Sequence, residues 1–556
     1  GLRHSYGLRD GDAGSGQHRS RLALRRMGTA GVRHPRYRRG RTSGPWTRRQ
    51  SGSRCALQHR PQRLDTAGGA GALPVSRVAT MNISDPQHVD AVVIGGGMAG
   101  LVAAWQFTQE GLHPVLVESR GYTGGLIARS TLAGISYDIG AEGWAVRLPD
   151  TAELATELGL TVEKPTIAPS WVYFDDACFA MPDNAILGIP ANLSDPAVII
   201  ALGAEEAARA AELDRAPMPE DLPRDLGTLV ASRMGSEVLR RLVTPIAGGI
   251  HAADPHLLSV DVVSPGLRAA AQATGSLAAG VALCRSRMPA GPAVASVAGG
   301  MFIMPAELRR QAEQAGATTM TRVGARGLTR HGDQWLVETA GTSRNPDPSL
   351  PPVTDGEIRS FLTPRVVVAC SAGPATKLLS NVIDTVGPEL APGAPIGHVN
   401  LALQAPALDS SPRGNGMLVA PGTTTVTAKA LTHMSAKWPS LRESCPEGLH
   451  LLRVSYGRSG EANVALSVDQ ALTDASVLLG VDLSAEQVVD SQIIHWTGSL
   501  APTTPQARAW RDGLHRQLEV LNQSGQGRIG LVGSWASGSG IAALVPQARR
   551  TVRQLV

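Results

Sequence analysis

Residues 89–94 read as a short apolar run, the pattern of a strand covered on both faces of a parallel sheet. Apolar positions then recur at helical spacing from about Met98 to Gly111, a natural helix stop, and residues 114–118 form a second apolar strand ending on Glu118. Residues 135–142 predict a strand running into a glycine turn. Between 150 and 300 the spacing is mostly helical, with predicted helices at 151–158, 196–213 and 225–243 separated by Pro and Gly breaks. A helix at 305–316 follows, then strands near 318–323, 327–330 and 334–339, a polar Pro-rich loop at 341–355, and a strand at 365–370 that enters another helix. Runs at 398–404, 417–419 and 449–456 predict a sheet, 529–533 a last buried strand, and about 541–555 a final helix. No internal repeat is present.

The turn between the first strand and helix carries Gly95, Gly97 and Gly100 at G-x-G-x-x-G spacing. The first glycine permits the tight turn, the second lets a pyrophosphate approach the backbone, and the third lets the helix pack on the strand. The helix start, with Met98 and Ala99, offers its amides to phosphates. Glu118 lies 18 residues past Gly100, placed to accept ribose hydroxyls. Strand, helix and acid together make this a dinucleotide-binding fingerprint, where a bare glycine triplet would be weak. Just after it, Ser119, Arg120 and the pair Gly124-Gly125 form a loop that can lie flat against a large cofactor, which plain dinucleotide dehydrogenases do not need. The Gly140 turn follows. In that order these segments look like a GG-type FAD-binding domain.

Charge is uneven. Residues 1–80 hold 17 Arg, no Lys and three acids, whereas the whole chain of 556 residues is only +5. This Gly/Ser/Arg-rich stretch has no periodicity and is expected to be disordered. It reads as a nucleic-acid-binding or membrane-surface tail, as a transit peptide, or as upstream sequence with Met81 as the true start. The last is favoured, because the chain uses four Lys against 48 Arg and spurious frames in GC-rich genomes are Arg-heavy. No nucleic-acid partner is expected. The five Cys are scattered without a C-x-x-C pair, so neither a disulfide framework nor a metal site is expected and a reducing cytoplasm is the default. No apolar run reaches 18 residues, so no transmembrane helix is expected; peripheral membrane contact and oligomeric state stay open.

From about 85 to 556 the chain resembles the protoporphyrinogen/coproporphyrinogen oxidases of the FAD-dependent amine-oxidase superfamily. The run Thr244-Pro245-Ile246-Ala247-Gly248-Gly249-Ile250-His251-Ala252-Ala253-Asp254-Pro255, continuing to Leu258-Ser259, is similar to the porphyrinogen branch. So are Gly275-Ser276-Leu277, and Gly299-Gly300-Met301 with Pro305 and Leu308. Lys437-Trp438-Pro439, Pro446-Glu447-Gly448 and Leu451-Leu452-Arg453 are similar to a segment of its Gram-positive type. Gly533-Ser534-Trp535-Ala536-Ser537-Gly538-Ser539-Gly540-Ile541 is similar to the family's C-terminal flavin-binding turn. Departures fall at Gly140-Ala141, where the family has Gly-Pro, at His251, where it has Tyr, and at Pro505-Gln506-Ala507, where it has Pro-Gln-Tyr.

The resemblance implies an α/β fold: a Rossmann-like FAD-binding domain with an interleaved substrate-binding sheet and a helical insertion. The parts are 85–150 and 299–390 (FAD), 151–298 (helical, substrate side), 391–500 (sheet) and 501–556 (C-terminal FAD segment). It implies non-covalent FAD on Gly95, Gly97, Met98, Ala99, Gly100, Glu118, Ser119, Arg120, Gly124, Gly125, Gly140, Val323, Gly538, Gly540 and Ile541. The implied reaction takes coproporphyrinogen III to coproporphyrin III, in a haem route where iron enters before the last decarboxylation. Hydride leaves a bridge carbon for the flavin, a proton leaves a pyrrole nitrogen, and dioxygen restores the flavin with release of hydrogen peroxide. The cofactor carries that chemistry, so no catalytic side chain is named. Arg147 is the candidate partner for substrate propionates, because its planar fork suits carboxylates; a solvated surface arginine is the plainer reading. His251 is a candidate ring-facing group, against a structural histidine. Protoporphyrinogen IX oxidation, an amine oxidase with Lys429 or Lys437 beside the flavin, a carotenoid desaturase, and a non-catalytic protein of the same fold remain alternatives.

Overall fold

The structure is a computed structural model and describes residues 85–251, 253–288, 293–346, 351–387, 395–458, 465–496, 505–523, 525, 527–538 and 540–556. The Arg-rich stretch 1–80 and part of the predicted 341–355 loop lie outside the described residues. The described residues form one compact unit.

A five-stranded sheet runs in the order Thr318–Thr321, Pro114–Glu118, Ala91–Ile94, Arg365–Val368, Arg528–Leu531, every neighbouring pair parallel. The strands Pro114–Glu118, Ala91–Ile94 and Arg365–Val368 carry apolar residues at successive positions because both faces are covered, whereas the edge strand Thr318–Thr321 is polar and partly exposed. Val93, Leu116 and Val367 pack against the helices Met98–Gln109, Ile303–Gln314 and Ile541–Leu555. Val92, Val115 and Val366 pack the other way, onto Leu328, Trp335, Val337 and Phe361 of an antiparallel sheet and onto Leu514 and Leu518 of the helix Pro505–Gln523. Parallel strands have a consequence for function. All five carboxyl ends lie along one edge, so the segments that begin at Gly95, Ser119, Arg322, Ala369 and Val532 leave the sheet side by side, although they are far apart in sequence.

The second sheet has seven strands, in the order Val488–Trp496, Ile396–Gln404, Leu449–Tyr456, Ala430–His433, Gly416–Val419, Trp171–Phe174, Ala177–Ala180. Residues 151–298 were expected to be mostly helical, and here the structure differs. Trp171–Phe174 and Ala177–Ala180 join this sheet, and Val294–Val297 pairs with Trp144–Ala145 and Val162–Glu163. The four consecutive apolar residues 171–174 carry no period, so neither strand nor helix could be read from them. The predicted helix 196–213 breaks at Gly203 and the predicted helix 225–243 at Gly235, both with φ near +86 to +87. Such a backbone ends a helix, and glycine adopts it without steric cost. A π-helical turn, Leu239–Val243, then leads directly into the helix Thr244–His251.

Candidate functional site

At the sheet edge the glycine turn is built from backbone contacts that leave no room for side chains. A Cβ on Gly100 would stand 1.8 Å from the carbonyl oxygen of Gly95, and one on Gly95 would stand 2.9 Å from the backbone of Ala369. Gly97 differs: a Cβ there would meet nothing within 4 Å. Packing therefore explains two of the three glycines and leaves the middle one facing open space at the amino end of the helix Met98–Gln109, which has no side-chain cap. Met98 and Ala99 are buried in the first turn of that helix.

Glu118 folds back over this turn. Its Oε2 accepts the amide of Gly96 at 2.7 Å, and its Oε1 accepts the amide of Arg120 at 2.7 Å and the hydroxyl of Ser119 at 3.3 Å. An ionised carboxylate has about four lone-pair sites, so room remains for a ribose hydroxyl. The amide of Gly124 bonds to the carbonyl of Gly96 at 2.8 Å, and a Cβ on Gly125 would stand 3.2 Å from Cα of Gly97. The paired glycines thus lie flush beside the open Gly97. Beside Glu118, Arg322 donates its amide to the carbonyl of Arg120, and Val323 opens the strand Val323–His331. A cleft of about 490 Å³ lies here, lined by Thr319, Thr321, Arg322, Val323 and Arg359 among others.

The last strand, Arg528–Leu531, leads through Gly533 and a short helix to Gly538 and Gly540, and Gly540 precedes Ile541, the first residue of the helix Ile541–Leu555. A Cβ on Gly538 or Gly540 would also meet nothing within 4 Å. Two long helices therefore start at the same sheet edge behind open glycines, one from each end of the chain, and they pack against each other.

A polar cluster joins this edge to the seven-stranded sheet. Arg453 donates to the carbonyl oxygens of Asp138 and Gly140, the latter at 3.2 Å, and to Oδ1 of Asn400 at 3.3 Å. It also stands 3.5 Å from Glu142, whose other oxygen is bonded to Lys437. Burial alone would raise the Glu142 pKa, but the Lys437 and Arg453 charges outweigh it and hold the carboxyl below its ordinary value. Asp138 goes the other way. Burial raises it to about 7, although its oxygens accept the amides of Met301 and Phe302, each at 2.8 Å. Gly140 is held so closely that a Cβ would stand 1.9 Å from the carbonyl oxygen of Leu126, and the indole of Trp496 lies against it.

Among these residues, Glu142, Asp138, Asn400 and Arg453 had no role assigned from sequence. Lys437 had been noted only as a family marker. Lone polar residues within strands give no periodic signal, and only the strand register shows that Arg453 and Asn400 are partners.

Arg147 is exposed on the loop after Trp144–Ala145 and makes no ion pair among the described residues. His251 ends the helix Thr244–His251, which lies close enough to the strand Gly416–Val419 that a Cβ on Gly249 would strike Leu418 at 2.5 Å. Burial, then the nearby Arg147 charge, pushes the His251 pKa down to about 4. The two candidates from sequence thus lie near one another, the imidazole neutral and the guanidinium free.

The sequence profile described as flavin-containing amine oxidoreductase matches residues 98–554. The chain belongs to that family. It is a flavin-dependent oxidoreductase with FAD as its cofactor. A protein named coproporphyrinogen III oxidase from Mycobacterium leprae is 26% identical over 483 residues, covering 83% of this chain and 97% of that protein. Another of the same name, from Bacillus subtilis, is 24% identical over 489 residues, covering 84% and 97%. Among solved structures, one from Exiguobacterium sp. 255-15 described as a candidate protoporphyrinogen oxidase superposes with a TM-score of 0.68 at 21% identity, covering 85% of this chain and 99% of that one. The fold is therefore shared across the whole described unit.

The edge fits such a cofactor. Open glycines at two helix starts would offer backbone amides to a diphosphate, and the Glu118 carboxylate stands one strand away, where it would reach a ribose. Among the described residues no cluster of three or more His, Cys, Asp or Glu side chains is arranged to hold a metal ion, and no helix is long and apolar enough to cross a membrane. Cys178, Cys284, Cys370 and Cys445 are free thiols.

Proposed function

We propose that this chain oxidises coproporphyrinogen III to coproporphyrin III, with dioxygen as electron acceptor and hydrogen peroxide as product. The observation that carries the reading is the end-to-end match to proteins named coproporphyrinogen III oxidase, which reaches 97% of the length of the Mycobacterium leprae protein. Bound FAD supplies a two-electron acceptor for hydride from the methylene bridges. The chain's own residues bind, orient and exclude water. Gly97, Met98, Ala99, Gly538, Gly540 and Ile541 would surround the diphosphate, while Glu118, Ser119, Arg120 and Val323 would hold the adenosine side. The Gly140 turn, clamped by Arg453, would stand beside the flavin ring.

Arg147 receives a substrate propionate. Its exposed guanidinium supports that role, because a planar fork with no ion pair among the described residues is available for a bidentate carboxylate contact. His251 stays neutral beside it and can accept or donate a hydrogen bond without adding charge.

A side-by-side assay under air tests the reading, with coproporphyrinogen III and protoporphyrinogen IX as substrates and porphyrin fluorescence as the signal. Faster appearance of coproporphyrin III is expected. A clear preference for protoporphyrinogen IX would replace the substrate, and turnover of neither would overturn the assignment.

A further inference from the structure

Removing hydride from a porphyrinogen bridge leaves a pyrrole N–H that must lose its proton, and none of the residues assigned so far accepts it. The seven-stranded sheet carries a group suited to that task. In the strands Ile396–Gln404 and Leu449–Tyr456, Asn400 pairs with Arg453 and His398 with Ser455. Side chains of paired residues share a face, and so do residues two apart on a strand. His398, Asn400, Arg453 and Ser455 therefore face the same way, and Arg453 shows which way by reaching the carbonyls of Asp138 and Gly140. His398 sits about 7 Å along the strand from the Asn400–Arg453 pair.

The His398 ring is fixed at one nitrogen only. Nδ1 lies 3.0 Å from Oγ of Ser455, and Nε2 has no partner among the described residues. Between it and the Gly140 turn, Asn400 is fully buried, with its Oδ1 on Arg453 and its Nδ2 without a partner among the described residues. A buried amide donor with no acceptor among the described residues points to a ligand on this face.

The geometry points to His398 as the base that takes the pyrrole proton, with Ser455 setting its tautomer and orientation; this rests on the porphyrinogen reading above. When Nδ1–H donates to Ser455 Oγ, the lone pair of Nε2 is directed at the substrate. The bridge C–H bond breaks and its electron pair leaves with the hydrogen to the flavin. A double bond forms between the bridge carbon and the adjoining ring carbon, the N–H electrons enter the ring as a C=N bond, and the proton passes to Nε2. The same proton is used when dioxygen is reduced to hydrogen peroxide, so atoms and electrons balance. Burial, then the Arg453 and Lys429 charges, hold the His398 pKa well below the ordinary histidine value, which keeps the ring unprotonated and available. A weak base suffices, because the N–H becomes strongly acidic as the hydride departs.

The test compares wild-type, His398→Gln and Ser455→Ala. Three quantities are read: anaerobic flavin reduction by coproporphyrinogen III in stopped flow, bound flavin per chain, and affinity for coproporphyrin III, the unreactive product, by fluorescence quenching. His398→Gln should slow flavin reduction by about 10²–10⁴-fold with flavin content and product affinity unchanged. Reduction slowed less than about tenfold, or a loss confined to product affinity or flavin content, would overturn the assignment. If His398→Gln does not fold, Ser455→Ala decides: a slowing of about tenfold at unchanged product affinity supports the role, and a wild-type rate overturns it. Wild-type enzyme that reduces its flavin with coproporphyrinogen III while His398→Gln does so equally fast rejects His398 alone. Wild-type enzyme inert toward both porphyrinogens rejects the substrate reading and His398 with it.

Discussion

Gly97→Ala and Gly100→Ala separate what the glycine turn does for the fold from what it does for the cofactor. At Gly97 the backbone has φ −70 and ψ 179, which alanine adopts freely, and the new Cβ would meet nothing within 4 Å. Alanine is a poorer helix cap than glycine by up to about 1 kcal/mol, and the reduced freedom of the unfolded chain returns about 0.4–1 kcal/mol. The flavin-free protein should therefore keep its stability to within about 1 kcal/mol. The methyl group would instead occupy the space where a diphosphate approaches, and FAD affinity should fall about 10- to 100-fold, or about 1.4–3 kcal/mol. At Gly100 the new Cβ would stand 1.8 Å from the Gly95 carbonyl oxygen, and neither backbone can move without shifting helix against strand. That variant should lose about 3 kcal/mol or more even without flavin. The assay is urea unfolding of the flavin-stripped proteins, followed by FAD titration monitored through fluorescence quenching. Wild-type FAD affinity in Gly97→Ala would refute the placement of the diphosphate. Equal destabilisation by the two substitutions would refute the separation itself.

Other outcomes follow from the same structure. Arg453→Met removes donors from the Asp138 and Gly140 carbonyls and from Asn400; at about 1–3 kcal/mol for a buried group left unpaired, denaturant unfolding should show a loss of about 3–5 kcal/mol, and a change below about 1 kcal/mol would contradict the clamp. Arg147→Ala should raise KM for coproporphyrinogen III with bound flavin per chain unchanged; unaltered kinetics would return Arg147 to the solvated surface. His251 supplies a pH signature: unfolded it protonates below about 6.5, whereas folded it does so only below about 4. The unfolded chain binds more protons between those values, so this residue's part of the stability is complete above the upper one and lost as pH falls toward the lower. His251→Gln should accordingly lose less stability than wild-type between about pH 7 and pH 5, by on the order of 2 kcal/mol; equal losses would show that the imidazole is not held neutral. Asp138 works in the opposite sense, since a carboxyl raised to about 7 makes folding less favourable as pH rises through that range.

Much of the nucleotide-binding half was legible along the chain because its signals are local. Gly95, Gly97 and Gly100 lie within six residues, the strands on either side are continuous apolar runs, and Glu118 ends the second of them. Each of these features is a requirement on neighbouring backbone, and neighbouring residues state it directly. The last helix, too, was predicted at the bounds observed, Ile541–Leu555, because its periodicity is uninterrupted. The helical region was less legible. Gly203 and Gly235 had to adopt positive φ to end their helices, and glycine alone does not announce which φ it takes.

Sequence by itself determined the cofactor fold, the glycines that shape it and the acid that closes it, because dinucleotide binding is encoded within one strand–helix–strand unit. Tertiary structure decided which polar side chains meet. Glu142, Lys437 and Arg453 meet across about 310 residues of chain, and His398 finds Ser455 only through the register of two antiparallel strands. A charged or polar residue in a strand reads the same whether it faces solvent or a buried partner. Its role emerges only when folding brings that partner within hydrogen-bonding distance and removes water from between them.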